Sequence, residues 1–405
     1  MKSPLAVVVL AAGAGTRMKS SLPKVLHPLA GWSMVRHVLE NVSRLRPARV
    51  VGVVAPGAKD VAAAFAPHPT AVQRRPRGTG DATKAALGAL KGHRGPVLVV
   101  YADAPLLTTA TLQRLVAACR KEKAAVGVLG FIAHDPAPYG RLIMHRGALE
   151  KIVESRDADE SEKAVDFCNS GVMCLDGALI ASLLGAIGND NVKSEFYLTD
   201  AVAIARAAGH TAIAVEGEEA EFQGINSRAE LAAAEKTLQQ RLRAAAFAAG
   251  VSMTDPDTVW LSVDTRFSAD VTIGPNVRFG PGVSVASNVE IKAFCDIEGA
   301  RIGRGAIIGP FARIRPGSDV AEDVHIGNFV ELKATRMGRG AKANHLAYLG
   351  DSDIGAASNI GAGNAKIDQV RPFVLGTYDD VGRFDITMHD RRRLLRQVIK
   401  HIQYL

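Results

Sequence analysis

Three stretches of this chain have residue types and spacings suited to chemistry. The first is Leu10-Ala-Ala-Gly-Ala-Gly-Thr-Arg-Met18, which continues the apolar run Val7–Leu10 and precedes Leu22-Pro-Lys24. At Gly13 and Gly15 no Cβ keeps backbone N–H groups from phosphate oxygens, and Arg17 and Lys24 place two cations where a triphosphate would lie. The glycine spacing is neither a dinucleotide fingerprint nor a Walker loop. The second is Tyr101-Ala102-Asp103, which ends another β-branched run and offers Asp103 as a hard oxygen ligand for Mg²⁺. The third is His345 in Lys342-Ala-Asn-His-Leu-Ala-Tyr348, since histidine titrates where a general base must. Each also has a plainer reading: a tight turn, a turn aspartate and a surface histidine.

The elements that must position these residues follow from periodicity. Over residues 1–228, short apolar runs (Val50–Val54, Val97–Tyr101) alternate with helical segments near Met34–Leu45, Thr79–Leu90 and Thr108–Cys119. Alternation of this kind gives an α/β domain with a Rossmann-like, mostly parallel sheet, whose ligands bind beyond the carboxyl ends of the strands. Residues 229–250 are rich in Ala, Leu, Glu and Gln and lack proline, predicting one long linker helix ending at Gly250. At 1.5 Å per residue it reaches roughly 30 Å, enough to hold two domains apart.

From Val271 the period is six. Val271, Val277, Val283, Val289 and Cys295 share one register, and after a one-residue slip Ile302, Ile308, Ile314, Val320, Ile326 and Leu332 share the next, resumed at Ile354 and Ile360. Six residues per side with an inward apolar residue is the hexapeptide form of a parallel β-helix. Arg336–Leu349 breaks the pattern and is expected as a loop thrown out of the coils.

A chain of 405 residues predicts two domains, and 47% hydrophobic with 22% charged residues fits a globular protein. The net charge of +8 is scattered, which favours small anionic substrates over nucleic acid. Cys119, Cys168, Cys174 and Cys295 have no metal or redox spacing and read as buried thiols. No signal peptide or membrane-length apolar run is present, so a cytoplasmic protein without membrane insertion is expected.

The first stretch resembles the signature of sugar-phosphate nucleotidyltransferases, Leu-x-Ala-Gly-x-Gly-Thr-Arg-Met followed by Pro-Lys. With the long helix and the hexads, residues 1 to about 363 resemble the family of bacterial bifunctional N-acetylglucosamine-1-phosphate uridylyltransferase/glucosamine-1-phosphate acetyltransferases. The resemblance implies a uridylyltransferase domain (1–228), a linker helix (229–250) and a short left-handed β-helix acetyltransferase domain (251–363). It implies the substrates UTP, N-acetylglucosamine 1-phosphate, glucosamine 1-phosphate and acetyl-CoA, with Mg²⁺ as cofactor, in a homotrimer with active sites between subunits. Its residues carry over as follows. Leu10, Ala11, Ala12 and Gly13 hold the nucleotide, and Gln73, Gly78 and Thr79 read uracil. Tyr101, Ala102 and Asp103 bind substrate, Asp103 and Asn226 bind the metal, and Arg17 and Lys24 stabilise phosphate charge. Gly140, Glu154 and Asn169 contact the sugar. In the second domain His345 is the base, Arg315 and Lys333 bind the sugar phosphate, Tyr348 and Asn359 the sugar, and Ala362 begins the acetyl-CoA contacts.

The chain departs from the family pattern at several points. Ala102 replaces glycine, Arg74 and Arg75 stand where a glutamate is usual, and Asn169-Ser-Gly replaces Asn-Thr-Gly. After Gly363 the family's Thr-Ile-Thr-Cys-Asn-Tyr-Asp and further coils give way to Asn364-Ala-Lys-Ile-Asp-Gln-Val370. Residues 364–405 show no hexads and end in a basic amphipathic pattern, Met388–Leu405, expected as a helix capping the solenoid. A uridylyltransferase with a vestigial acetyltransferase site and a non-catalytic trimeric scaffold that senses nucleotide sugars stay open as alternatives, while the Gln73…Gly78-Thr79 pattern and the His345 loop argue against a related adenylyltransferase.

Overall fold

The structure, a computed structural model, describes residues 3–361. Its first part is built on nine strands: β1 (Ala6–Ala11), β2 (Arg49–Val54), β3 (Thr70–Val72), β4 (Pro96–Tyr101), β5 (Val126–Ile132), β6 (Arg141–His145), β7 (Ala148–Val153), β8 (Phe167–Asp176) and β9 (Ala212–Glu216). They order as β9-β5-β8-β4-β1-β2-β3, with the β6–β7 hairpin attached through β8. All neighbours in this order are parallel except β8, which runs antiparallel to both β4 and β5. Val7 and Val9 of β1 pack into one buried cluster and Ala6 and Val8 into another. A strand covered on both faces must be apolar throughout, which is why it reads as a continuous run. The four cysteines are buried free thiols.

Helix α1 (Thr79–Ala85) leads away from the turn after β3, and helix α2 (Arg228–Ala248) ends the domain. α2 opens with a reciprocal capping box between Ser227 and Glu230 and stops before Gly250 at φ +88°. It does more than hold domains apart. Ala234 and Leu238 pack on Leu29, Met34 and Leu106 of the first domain, while Ala246 joins the core of the coils. The Ala30 backbone N–H donates to Glu235, and the Val263 N–H donates to the Ala30 carbonyl at 2.9 Å, so the first coil also touches the first domain directly.

From Val251 the chain winds as a left-handed parallel β-helix whose three faces are short parallel strands. Two side chains per hexad turn inward, as in Val271 with Ile273 and Val277 with Phe279, all within 2% of full burial. The slip expected after Cys295 is therefore a change of position. The bulky aliphatic residues of the later coils occupy the second inward place, and Ala300, Ala306 and Ala312 fill the first. One residue is dropped at a corner: Phe279 and Val285 pair with Ile297 and Ile302.

The loop expected at Arg336–Leu349 is not one. Strand β10 (His325–Lys333) and strand β11 (Lys342–Gly350) run parallel from one face to the next, with Ile326 opposite Ala343 and Leu332 opposite Leu349. The coils continue; only the six-residue punctuation is lost, because two short strands and the corner between them merge. Ala362 and the amphipathic segment 388–405 lie outside the described residues.

Candidate active sites

The carboxyl ends of β1 and β4 lie side by side, because Leu10 pairs with Tyr101. Here a cavity of about 500 Å³ opens, lined by the Leu10–Ala14 turn, Lys24, Gln73, Gly78, Thr79, Tyr101, Asp103 and Glu195, among others. Most of the nucleotide positions named from sequence thus meet at one place. Ala102 is not in the lining: it is fully buried, and its N–H donates to the Leu10 carbonyl. Its side chain offers no face to a ligand. Arg17 is exposed on a short turn of 3₁₀ helix, and its side chain has no hydrogen bond or ion pair among the described residues.

Lys24 is central. Its nearly buried ammonium donates to Asp103 Oδ2 and, at 3.0 Å, to Asn226 Oδ1. Asn226 is delivered from the start of α2, and the Ile225 N–H donates to the Asp103 carbonyl at 2.9 Å. The two hard oxygens therefore converge on one point, where the Lys24 ammonium meets both. A carboxylate and an amide oxygen suit Mg²⁺, which takes its remaining ligands from water and substrate phosphates. No cluster of three His, Cys, Asp or Glu side chains able to hold a metal occurs among the described residues.

Gly140, Glu154 and Asn169 lie close together. The Asn169 N–H donates to the Gly140 carbonyl at 2.8 Å, and its side chain accepts from the Gly171 N–H. Gly171 lies against the Tyr101 ring at φ +85°, so close that a Cβ would stand 2.8 Å from it. Glu154 accepts from the Thr199 hydroxyl at 3.1 Å. Burial pushes the Glu154 carboxyl up, opposed by that hydroxyl and by Lys193 and supported by Asp157 and Glu195. Burial raises Asp200 in the same way, and Tyr197 is pushed up to about 12. Glu195 also lines the cavity, a place with no signal of its own in the sequence.

In the coils, Arg315 and Lys333 sit on neighbouring turns at one corner. Arg315 pairs with Glu331 at 3.0 Å and Lys333 with Asp351 at 3.1 Å. Tyr348 lies opposite Glu331 and is exposed; His345 lies opposite Asn328 on the same pair of strands and is also exposed. Asn359 accepts from Asn344 at 3.4 Å.

A nucleotide-sized cavity at the strand ends of a Rossmann-like sheet, joined to a hexapeptide β-helix, defines a nucleotidyltransferase fused to a hexapeptide transferase. Residues 7–169 match the MobA-like NTP transferase domain and residues 299–334 the bacterial transferase hexapeptide (six repeats). The chain is 53% identical over 362 residues to the "Bifunctional protein GlmU" of Paramagnetospirillum magneticum, covering 89% of this chain and 81% of that one. It is 50% identical over 380 residues to the protein of the same name from Rhodospirillum rubrum, covering 94% and 83%. The GlmU protein of Azorhizobium caulinodans is 53% identical over 363 residues. The chain belongs to the GlmU family of bifunctional proteins.

Proposed function

We propose that the first domain transfers uridylyl from UTP to N-acetylglucosamine 1-phosphate, releasing pyrophosphate, and that the coils acetylate glucosamine 1-phosphate from acetyl-CoA. The observation that carries the first activity is the Lys24 bridge between Asp103 and Asn226 at the mouth of the nucleotide-sized cavity.

A sugar-phosphate oxygen attacks the α-phosphorus, the bond to the β-phosphate bridging oxygen breaks, and pyrophosphate leaves; no nucleophilic side chain is needed. The Leu10–Gly13 backbone seats the nucleotide, and Gln73, Gly78 and Thr79 face the base. Gly140, Glu154 and Asn169 orient the sugar for in-line attack. Lys24 and Arg17 place positive charge on the phosphates. Asp103 and Asn226 would hold Mg²⁺, which when bound neutralises phosphate charge.

In the coils the glucosamine nitrogen attacks the thioester carbonyl, His345 takes the amine proton, the C–S bond breaks, and His345 passes that proton to the departing CoA thiolate, which is released as the thiol. Arg315 and Lys333 hold the phosphate, with Tyr348 and Asn359 on the sugar ring. His345 and Tyr348 lie on an open face, which supports a site completed by a neighbouring subunit. Phe294, Phe311 and Phe329 support the same homotrimer. They stack one per coil, with ring centroids 4.9 and 5.1 Å apart, and are about half exposed. Contiguous exposed aromatic surface of this kind marks interfaces.

Two assays on one sample test both halves: pyrophosphate release from UTP, Mg²⁺ and N-acetylglucosamine 1-phosphate, and thiol release from acetyl-CoA with glucosamine 1-phosphate. Both are expected. Asp103→Ala should lower the first by at least a hundredfold and leave the second intact; undiminished pyrophosphate release would remove the metal assignment.

A further inference from the structure

Gln73 is 7% exposed, and its amide is oriented by two groups: Nε2 donates to the Gly78 carbonyl at 3.1 Å and to Asp81 Oδ2 at 2.9 Å. A carbonyl and a carboxylate only accept, so chemistry places the amide nitrogen toward them and turns Oε1 away. Among the described residues no donor reaches Oε1, and no acceptor takes the Gly78 backbone N–H. Both residues line the nucleotide cavity. Gly78 has φ +106°, and a Cβ there would stand 2.6 Å from the Phe196 carbonyl oxygen, so only glycine fits. The cavity wall thus presents an acceptor beside a donor. Uracil offers the matching pair, an N3–H donor and an O4 acceptor. Cytosine offers the reverse, an N3 acceptor and an amino donor at C4.

We propose that Asp81 is the positioning residue for nucleotide specificity, holding the Gln73 amide so that its oxygen meets a base with an N3–H. The inference rests on the base-reading role proposed above for Gln73 and Gly78. Asp81 touches no base itself. It lines a separate cavity behind Gln73, together with Arg74, Arg75, Arg77 and Lys84. Without its carboxylate only the Gly78 carbonyl restrains the amide, which is then free to flip. A flipped amide turns its N–H₂ to the base, where it pairs with cytosine.

The test is the ratio of kcat/KM for UTP over CTP, read by pyrophosphate release, in the full chain and four variants: Asp81→Ala, Asp81→Asn, Gln73→Ala and the Asp81→Ala/Gln73→Ala double variant. Misfolding lowers both activities together and leaves the ratio unmoved. Asp81→Ala is expected to lower the ratio roughly tenfold or more, chiefly through KM for UTP. Asp81→Asn, which keeps an acceptor, should recover part of it. In the Gln73→Ala background Asp81→Ala should add nothing, as for residues acting through one contact. If Gln73→Ala lowers the ratio and Asp81→Ala does not, the Asp81 inference alone is overturned. An equal effect of Asp81→Ala with and without Gln73 overturns it too. A ratio untouched by Gln73→Ala removes the base-reading role itself.

Discussion

Glu154 is where a single residue's chemistry gives a measurable pH dependence. Burial holds its carboxyl above the ordinary value near 4.3, so it takes up a proton at a higher pH than a free glutamate. The carboxylate accepts from sugar hydroxyls through both oxygens, whereas the acid turns one of them into a donor. As pH falls through the raised pKa, KM for N-acetylglucosamine 1-phosphate should therefore rise several-fold, beginning at a higher pH than an exposed glutamate would give. In Glu154→Gln the KM should be high and lack this dependence. The substrate's own phosphate ionisation is common to both proteins and cancels in their ratio. Parallel pH profiles for the two would remove Glu154 from the sugar site.

At the scale of elements, the start of α2 ties stability to the uridylyltransferase site. Glu230 accepts from the backbone N–H groups of Ser227, at 3.1 Å, and of Asn226, at 2.5 Å. Ser227→Ala and Glu230→Ala each break the capping box and should cost about 1 kcal/mol in thermal or denaturant unfolding. Only Glu230→Ala also frees the Asn226 backbone, so it alone should raise the Mg²⁺ concentration for half-maximal pyrophosphate release several-fold. Equal Mg²⁺ dependence in the two variants would separate the cap from the site.

The same scale explains what was legible in the sequence. The phosphate-type turn could be read because a buried strand and its glycines are local features. The hexads could be read because an inward side chain recurs at a strict short interval. Strands β10 and β11 escaped because they merge two faces, with Phe329 and Leu346 at positive φ where a corner would fall. Asn226, 202 residues from its partner Lys24, was reachable only through the family resemblance. The Asp81 contact was not reachable at all: it depends on how α1 leaves the turn after β3.

For the whole molecule, the decisive question is whether three chains assemble, since the two sites respond differently to it. The nucleotide cavity is closed by residues of one chain, whereas His345, Tyr348 and the Phe294–Phe311–Phe329 stack all face outward. Covering the exposed half of each phenylalanine contributes about 1 kcal/mol per ring and per interface, and a carboxylate there would be desolvated without a partner. Phe311→Glu changes a side chain that lies outside the coil core, so the coils themselves should persist. In sedimentation velocity the parent chain should run at three times the chain mass and the variant at one. Thiol release should fall at least tenfold in the variant while pyrophosphate release is retained. A parent protein that sediments as a single chain with full thiol release would place the whole acetyl-transfer site within one coil stack and discard the subunit-shared arrangement.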